Sequence, residues 1–484
     1  MKYTYLLLFG FLVLMAQSCK KDHGNYTYKD LNEVTIKTND TAFVIQQLET
    51  LKISPALTET IPGDSYTYAW TIYLQRTPPT GVDHSTTLIS TEKDLNKQIS
   101  NSPNDYWVLL TVTNEKTKIK AFQRYSVTVS GAFYDGWLVT SNKNGKAMVS
   151  FVRKDNAVFY NPINEINNIE LKGKALGAYS GVISRLSQIN VFTDSEVYRL
   201  NADDFIVNGT HDNLFGAGTK SFEKPFYTVN SINTDQYIVD KGSVHATITP
   251  NFGPPGKYSE RFAGPDGNYE AFPYFMSGSR FYAVFYDNLN QRFLNTDYNS
   301  RTLYTFANFV GAAYDLNNVG KTMIAGDTGP GNEYYLIMKD ETDYYFYTFI
   351  PKNASPAGVK QPILNSPEIK IATSFASSTA LKQMYYAAGK NLYVYDVLAN
   401  NSRKVYEFPA GTNIKDVEML KSKGWGKADP LFNNRLVVAT YNGTEGELYY
   451  FNLTSTGDIE GQTFFKKFSG FGDIVQINYR NPNV

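Results

Sequence analysis

The sequence predicts an all-β protein, an N-terminal immunoglobulin-like β-sandwich followed by a β-propeller of seven blades. Three observations predict it. Aromatic residues (37 Tyr, 31 Phe, 4 Trp) are 15% of the 484 residues and charged residues only 19%, which suits half-buried strands better than charged surface helices. Short segments with apolar side chains at every second position recur between turn residues from Glu33 onward. Beyond Gly131, one strand pattern returns about every 48 residues, within the range of propeller blades.

Taken in order, residues 1–18 form a secretory signal. Lys2 precedes an apolar run from Leu6 to Met15, broken only by Gly10. A run of about ten residues is too short to cross a ~30 Å hydrocarbon core, and no later stretch approaches ~20 apolar residues. Ala16, Gln17 and Ser18 lead to Cys19, the single cysteine of the chain. A small residue directly before Cys at the end of an apolar segment resembles the lipobox of bacterial lipoproteins, so Cys19 is the expected lipidation site. Residues 19–32 are then a linker, and acylation makes the membrane a partner through the N-terminus. The alternative is cleavage near Ala16 with Cys19 left as a free thiol.

The motif C-K-K-D-x-G-N-Y-x-Y (19–28), followed by N-E-V (32–34), resembles the start of the PKD-like family of lipoproteins in Bacteroidetes. The resemblance implies outer-membrane anchoring, at the surface rather than facing the periplasm. It also implies association with nutrient-uptake systems built on a TonB-dependent transporter.

Residues 33–130 carry about seven short strands. Tyr68, Trp70, Ile72 and Leu74 share one face of Y-T-Y-A-W-T-I-Y-L, and Tyr106, Val108, Leu110 and Val112 share one face of Y-W-V-L-L-T-V-T-N. Two such faces close on each other as a PKD-like sandwich. The W-D-F-G-D-G signature of PKD domains is missing, so this resemblance speaks to fold and lends no ligand.

Residues 131–484 hold the repeat. A strand of the form [LVF]-[YFH]-x-[aromatic or polar] appears with Phe159, Tyr198, His245, Tyr304, Tyr347, Tyr393 and Tyr449 in second place, at gaps of 39, 47, 59, 43, 46 and 56. Seven copies predict seven blades, with six or eight as alternatives. The terminal strand G-D-I-V-Q-I-N-Y (472–479) is expected to pair near W-L-V-T (137–140) and close the ring.

The chemistry excludes more than it names. Lys plus Arg (46) equals Asp plus Glu (46), so no basic field gathers phosphate and no nucleic acid is expected. Four scattered His and one Cys offer neither a cysteine or histidine-only metal site nor a Ser-His-Asp or Cys-His arrangement. No cofactor is expected. G-A-G-T-K-S (216–221) has Thr219 where a phosphate loop needs the Lys, and N-T-D-Y-N-S-R-T (295–302) lacks the Gly and Trp of a sialidase Asp-box. Asp327 and Glu333 of D-T-G-P-G-N-E (327–333) have the oxygen ligands calcium takes, but this composition favours a turn. Asp194, Asp240, Asp287 and Asp396 stand near blade turns, where a turn role outweighs a carboxylate ring for hydrolysis.

Two loops carry the expected binding residues. The longest gap contains a Gly- and Pro-rich insertion (250–275) with Tyr258, Arg261 and Tyr269, whose rings and guanidinium suit a glycan or peptide. The alternative is a plug of packed rings. The second is Trp425, framed by Gly424 and Gly426. The favoured function is a non-catalytic binding component of glycan or peptide uptake, with a propeller-type polysaccharide hydrolase or lyase as the alternative.

Overall fold

A computed structural model describes residues 31–75, 86–183, 186–215, 221–230, 235–247, 257–298, 300–421 and 429–480. The chain divides into two compact units: 1–43, 50–97 and 105–127, and 44–49, 98–104 and 128–484.

In the first unit the strands alternate as predicted, but the two apolar faces expected to close on each other belong to one sheet. Tyr66–Leu74 and Asn104–Asn114 are neighbours in a five-stranded sheet, and their register sets Trp70 opposite Leu110 and Ile72 opposite Val108. These four side chains are buried together with Tyr125, whose ring lies 5.6 Å from Trp70. The Trp70 indole donates to Glu92 O at 2.9 Å, so the buried N–H is satisfied. Two-stranded sheets join Val34–Lys37 to Ala56–Glu59 and Thr50–Ile53 to Leu95–Gln98.

The second unit contains seven antiparallel sheets among its described residues. The first comprises Asp473–Arg480, Gly136–Lys143, Lys146–Arg153 and Val158–Phe159; the second Ala175–Ile183, Leu186–Thr193, Val197–Asn201 and Val207–Thr210. Three strands each form the third (Phe226–Val229, Gln236–Asp240, Ser243–Thr247) and the fourth (Met276–Gly278, Phe281–Asp287, Arg292–Thr296). The fifth runs through Thr322–Thr328, Tyr334–Lys339, Tyr344–Phe349 and Ala357–Pro362, and the sixth through Ser374–Ser377, Gln383–Ala388, Asn391–Asp396 and Asn401–Glu407. Asn413–Met419, Arg435–Tyr441, Gly446–Asn452 and Lys466–Phe471 make the seventh.

Each sheet buries both faces, which is why the chain needs so many rings. Phe192 and Ile238 pack between the second and third sheets, Phe285 and Tyr237 between the third and fourth, and Phe293 and Leu336 between the fourth and fifth. Tyr386 faces the fifth sheet and its neighbour Tyr385 the seventh, one on each side of the same strand. Tyr450 and Val437 of the seventh sheet pack with Tyr479 and Val139 of the first, and Phe151 of the first with Ile189 of the second.

The C-terminal strand pairs with Gly136–Lys143, with Trp137 opposite Tyr479 and Val139 opposite Ile477. It takes the first place in its sheet and moves each local strand one place outward. That corrects part of the repeat register. Tyr198, His245, Tyr347, Tyr393 and Tyr449 lie on third strands, but Phe159 lies on a fourth. Tyr304 reaches Asn295 through an isolated bridge, and Phe293 takes the third-strand place in the fourth sheet. Gly389, with φ of 56°, makes the turn between Gln383–Ala388 and Asn391–Asp396.

Candidate functional site

The insertion chosen from sequence is packed from Lys257 onward. Tyr258 and Tyr269 are each only 4% exposed. Tyr258 stacks on Phe215 at 5.0 Å and its hydroxyl meets Gln236 Oε1 at 3.3 Å. The Tyr269 hydroxyl accepts the Val244 amide at 3.2 Å. Burial pushes both phenols up in pKa. Neither ring offers a free face to a ligand, so the packing alternative describes them. Arg261 is exposed, with its guanidinium 3.9 Å over the Tyr269 ring and Nη2 donating to Tyr269 O at 2.7 Å. Trp425, Cys19 and the Gly216–Lys220 part of the phosphate-loop-like motif lie outside the described residues.

The four aspartates chosen near blade turns act as backbone acceptors. Asp194 accepts Lys174 N, and Asp240 accepts both Glu223 N and Lys224 N. Asp287 accepts Glu270 N, Leu289 N and Asn290 N, and Asp396 accepts Leu398 N and Ala399 N. Asp327 is held by Lys421 Nζ at 2.6 Å to both oxygens and by Ser377 N, a cation already in place where calcium was weighed. Among the described residues no group of three or more His, Cys, Asp or Glu is placed to hold a metal ion.

A different set of side chains converges on the first strands of the sheets. The strands Asp473–Arg480, Ala175–Ile183 and Phe226–Val229 lie side by side, as do Thr322–Thr328, Ser374–Ser377, Asn413–Met419 and Asp473–Arg480. No ladder joins strands of different sheets, so side chains reach across to backbone. Gln476 Oε1 accepts Ala178 N at 3.0 Å and Asn478 Oδ1 accepts Ser180 N at 3.1 Å. Asp416 spans three sheets: Oδ1 accepts Ser374 Oγ and its own neighbour Val417 N, and Oδ2 accepts Ile477 N, each at 2.9 Å.

Beside these strands runs an arc of half-buried rings, Tyr179 and Phe226 on first strands, Tyr274 just before Met276–Gly278 and Tyr334 at the start of the second strand of the fifth sheet. Tyr179 lies 5.9 Å from Phe226, Phe226 6.0 Å from Tyr274, and Tyr274 6.2 Å from Tyr334. Two of these rings lie in carboxylate fields: after burial, the largest influence on Tyr179 is Asp416, then Glu418, and on Tyr274 it is Asp327, with Glu418 acting too. Gly326 makes room for the arc, because a Cβ there would come within 2.5 Å of the Tyr274 ring. In I-K-D-V-E-M (414–419) Asp416 and Glu418 alternate with Val417 and Met419, which reads as the polar face of an ordinary half-exposed strand. Nothing in the sequence distinguishes these carboxylates from solvent-facing ones, because the groups they meet lie on other sheets.

Burial pushes the Asp416 carboxyl up to about 6, against the three donors that favour its anion. The folded state therefore holds this proton more tightly than the unfolded chain. Stability from this group is gained as pH falls through about 6, is complete below its ordinary value of 3.8, and is lost as pH rises again. We predict that Asp416→Asn removes a component on the order of 2 kcal/mol from the pH dependence between pH 4 and 7. Parallel urea titrations of both proteins check it, and identical slopes against pH would refute it.

Comparison with known proteins bears on the fold. Residues 19–175 match the PKD-like family, a span that covers the sandwich and runs past the local strands of the first sheet. No curated protein matches the chain. Among solved structures, a quinonprotein alcohol dehydrogenase-like protein from Bacteroides thetaiotaomicron has a TM-score of 0.51 at 11% identity, covering 91% of this chain and 96% of that one. A protein of unknown function from the same organism has a TM-score of 0.32 at 11% identity, covering 92% and 100%. A DUF4784 family protein from Bacteroides caccae has a TM-score of 0.31 at 7% identity, covering 93% and 98%. At such identity the first likeness speaks to fold alone. The family likeness thus extends over residues 19–175, and the fold likeness over most of the chain.

Proposed function

We propose that the second unit is a closed seven-bladed propeller that binds a glycan or peptide without transforming it, on a protein held to the outer membrane by lipid on Cys19 and facing outward. Its partner in uptake is a TonB-dependent transporter. What supports the ring is that apolar clusters join each sheet to the next, including the seventh to the first. The observation that carries the binding function is the arc of Tyr179, Phe226, Tyr274 and Tyr334 beside Asp416 and Glu418, since half-buried rings next to polar anchors suit sugar faces and peptide side chains. Arg261 and Trp425 are a secondary, peripheral contact in this proposal.

A glycan and peptide array probed with purified protein tests it. Tyr274→Ala is expected to weaken the captured ligand about tenfold, the size of one lost aromatic contact, and unchanged capture would sink the site. A hydrolase or lyase is the second reading, favoured by the raised pKa of Asp416 two residues from Glu418. It predicts that the captured glycan is shortened on incubation and that Glu418→Gln stops this. Anchoring has its own check. Cys19→Ala should move the protein from the membrane fraction to the soluble one, and a variant that stays in membranes and still takes up a palmitate analogue would overturn the lipid assignment.

A further inference from the structure

The space between the second and third sheets is apolar at one end and polar at the other. Phe192, Val197 and Ile238 fill the apolar end. Two residues along each strand, on the same faces, come Asn190 opposite Arg199 and Gln236 opposite Thr247, with Gln188 beyond Asn190. Gln188, Asn190, Gln236 and Thr247 are each more than nine-tenths buried. Among the described residues Gln188 Oε1, Gln236 Nε2 and Thr247 Oγ1 have no hydrogen-bond partner, and the Asn190 amide lies beside the Tyr227 hydroxyl.

Gln236 is anchored on its other atom, since Oε1 accepts the Tyr227 hydroxyl at 2.9 Å and the Tyr258 hydroxyl at 3.3 Å. Its Nε2 is thereby left facing away from both tyrosines. Arg199 connects the layer to solvent, donating from Nε to exposed Asn208 at 3.1 Å. Among the described residues no carboxylate acts on this half-buried guanidinium, and its neighbours Tyr227 and Tyr258 are neutral phenols. A buried amide without a partner is costly, and several on facing strands beside an unpaired cation call for an occupant. With the Arg199 guanidinium counted, donors outnumber acceptors in the set and its one formal charge is positive, which matches a small anion with two planar acceptor oxygens.

We propose that this layer binds a single carboxylate group through the Arg199 guanidinium, the side-chain amides of Asn190 and Gln236 and the Thr247 hydroxyl. The site is separate from the aromatic arc and does not depend on it. Two sources share this chemistry, an acidic sugar and the free C-terminus of a peptide. Calorimetric titration of the purified protein with galacturonate, N-acetylglycylglycine and neutral galactose tests the proposal. At least one carboxylate is expected to bind and raise the melting temperature, while galactose does neither. Binding of galacturonate alone assigns an acidic sugar, of the dipeptide alone a chain terminus, and of both a general carboxylate site.

Gln236→Glu keeps the acceptor for both tyrosine hydroxyls but sets a second negative charge against the ligand, so affinity should fall at least tenfold. Arg199→Gln should do the same, and it carries the test alone if Gln236→Glu does not fold. If neither carboxylate binds, or if Arg199→Gln binds as tightly as the natural protein, the layer is filled by water only and the proposal fails.

Discussion

Ending the chain at Gly472 is expected to abolish cooperative folding of the second unit and to cause aggregation. The truncation removes the strand that pairs with Gly136–Lys143 along its length, and with it Ile474, Ile477 and Tyr479 from the apolar cluster joining the seventh sheet to the first. Three anchors go as well: the Tyr479 hydroxyl on Asp135 at 2.5 Å, the Arg480 guanidinium on Asp203 at 2.7 Å, and the Ile477 amide on Asp416. Trp137, whose ring lies 5.1 Å from Tyr479, becomes exposed on a bare edge strand. Several buried side chains lost together exceed the 5 to 15 kcal/mol on which a typical domain depends. Calorimetry and size-exclusion chromatography check this. A truncated chain that is monomeric and melts at the natural temperature would show that the ring is not closed by this strand.

The second large effect is expected at the insertion. Tyr258→Ala should cost about 3 to 5 kcal/mol, because it deletes a buried ring from a cluster with Phe192, Phe215 and Phe222 and leaves one fewer donor for Gln236. Tyr269→Ala should cost a similar amount, as it strips the Val244 amide of its acceptor and removes the ring beneath Arg261. Denaturant titration measures both. Each variant losing under 1 kcal/mol while weakening a ligand would restore the rings to a binding surface.

The contrast at the insertion shows where sequence reasoning loses its grip. Proline and glycine between 250 and 275 correctly exclude a regular helix or long strand there, since both residues interrupt hydrogen-bonded elements. Whether a ring in such a segment meets water or another ring depends on what lies opposite, and Phe215 is more than 40 residues away in the chain. The aspartates behaved otherwise. Asp287 and Asp396 were legible as turn formers because their partners, the amides two and three residues on, are local. Asp416 was not, because its partners Ser374 and Ile477 belong to other sheets.

By itself the sequence determined the class of structure. Alternation fixes strands and their buried faces, as at Trp70 and Leu110, because side-chain direction along a strand has a period of two that neighbours in the chain already display. It also determined that the last strand suits the first sheet, because both carry a matching apolar face. The tertiary structure alone decided which strand stands first in its sheet, which rings are sealed, and which backbone groups Asp416 meets. Those outcomes depend on contacts between residues tens to hundreds of positions apart, such as Asp416 with Ser374 and Tyr479 with Asp135, and such contacts leave no periodic trace in a single sequence.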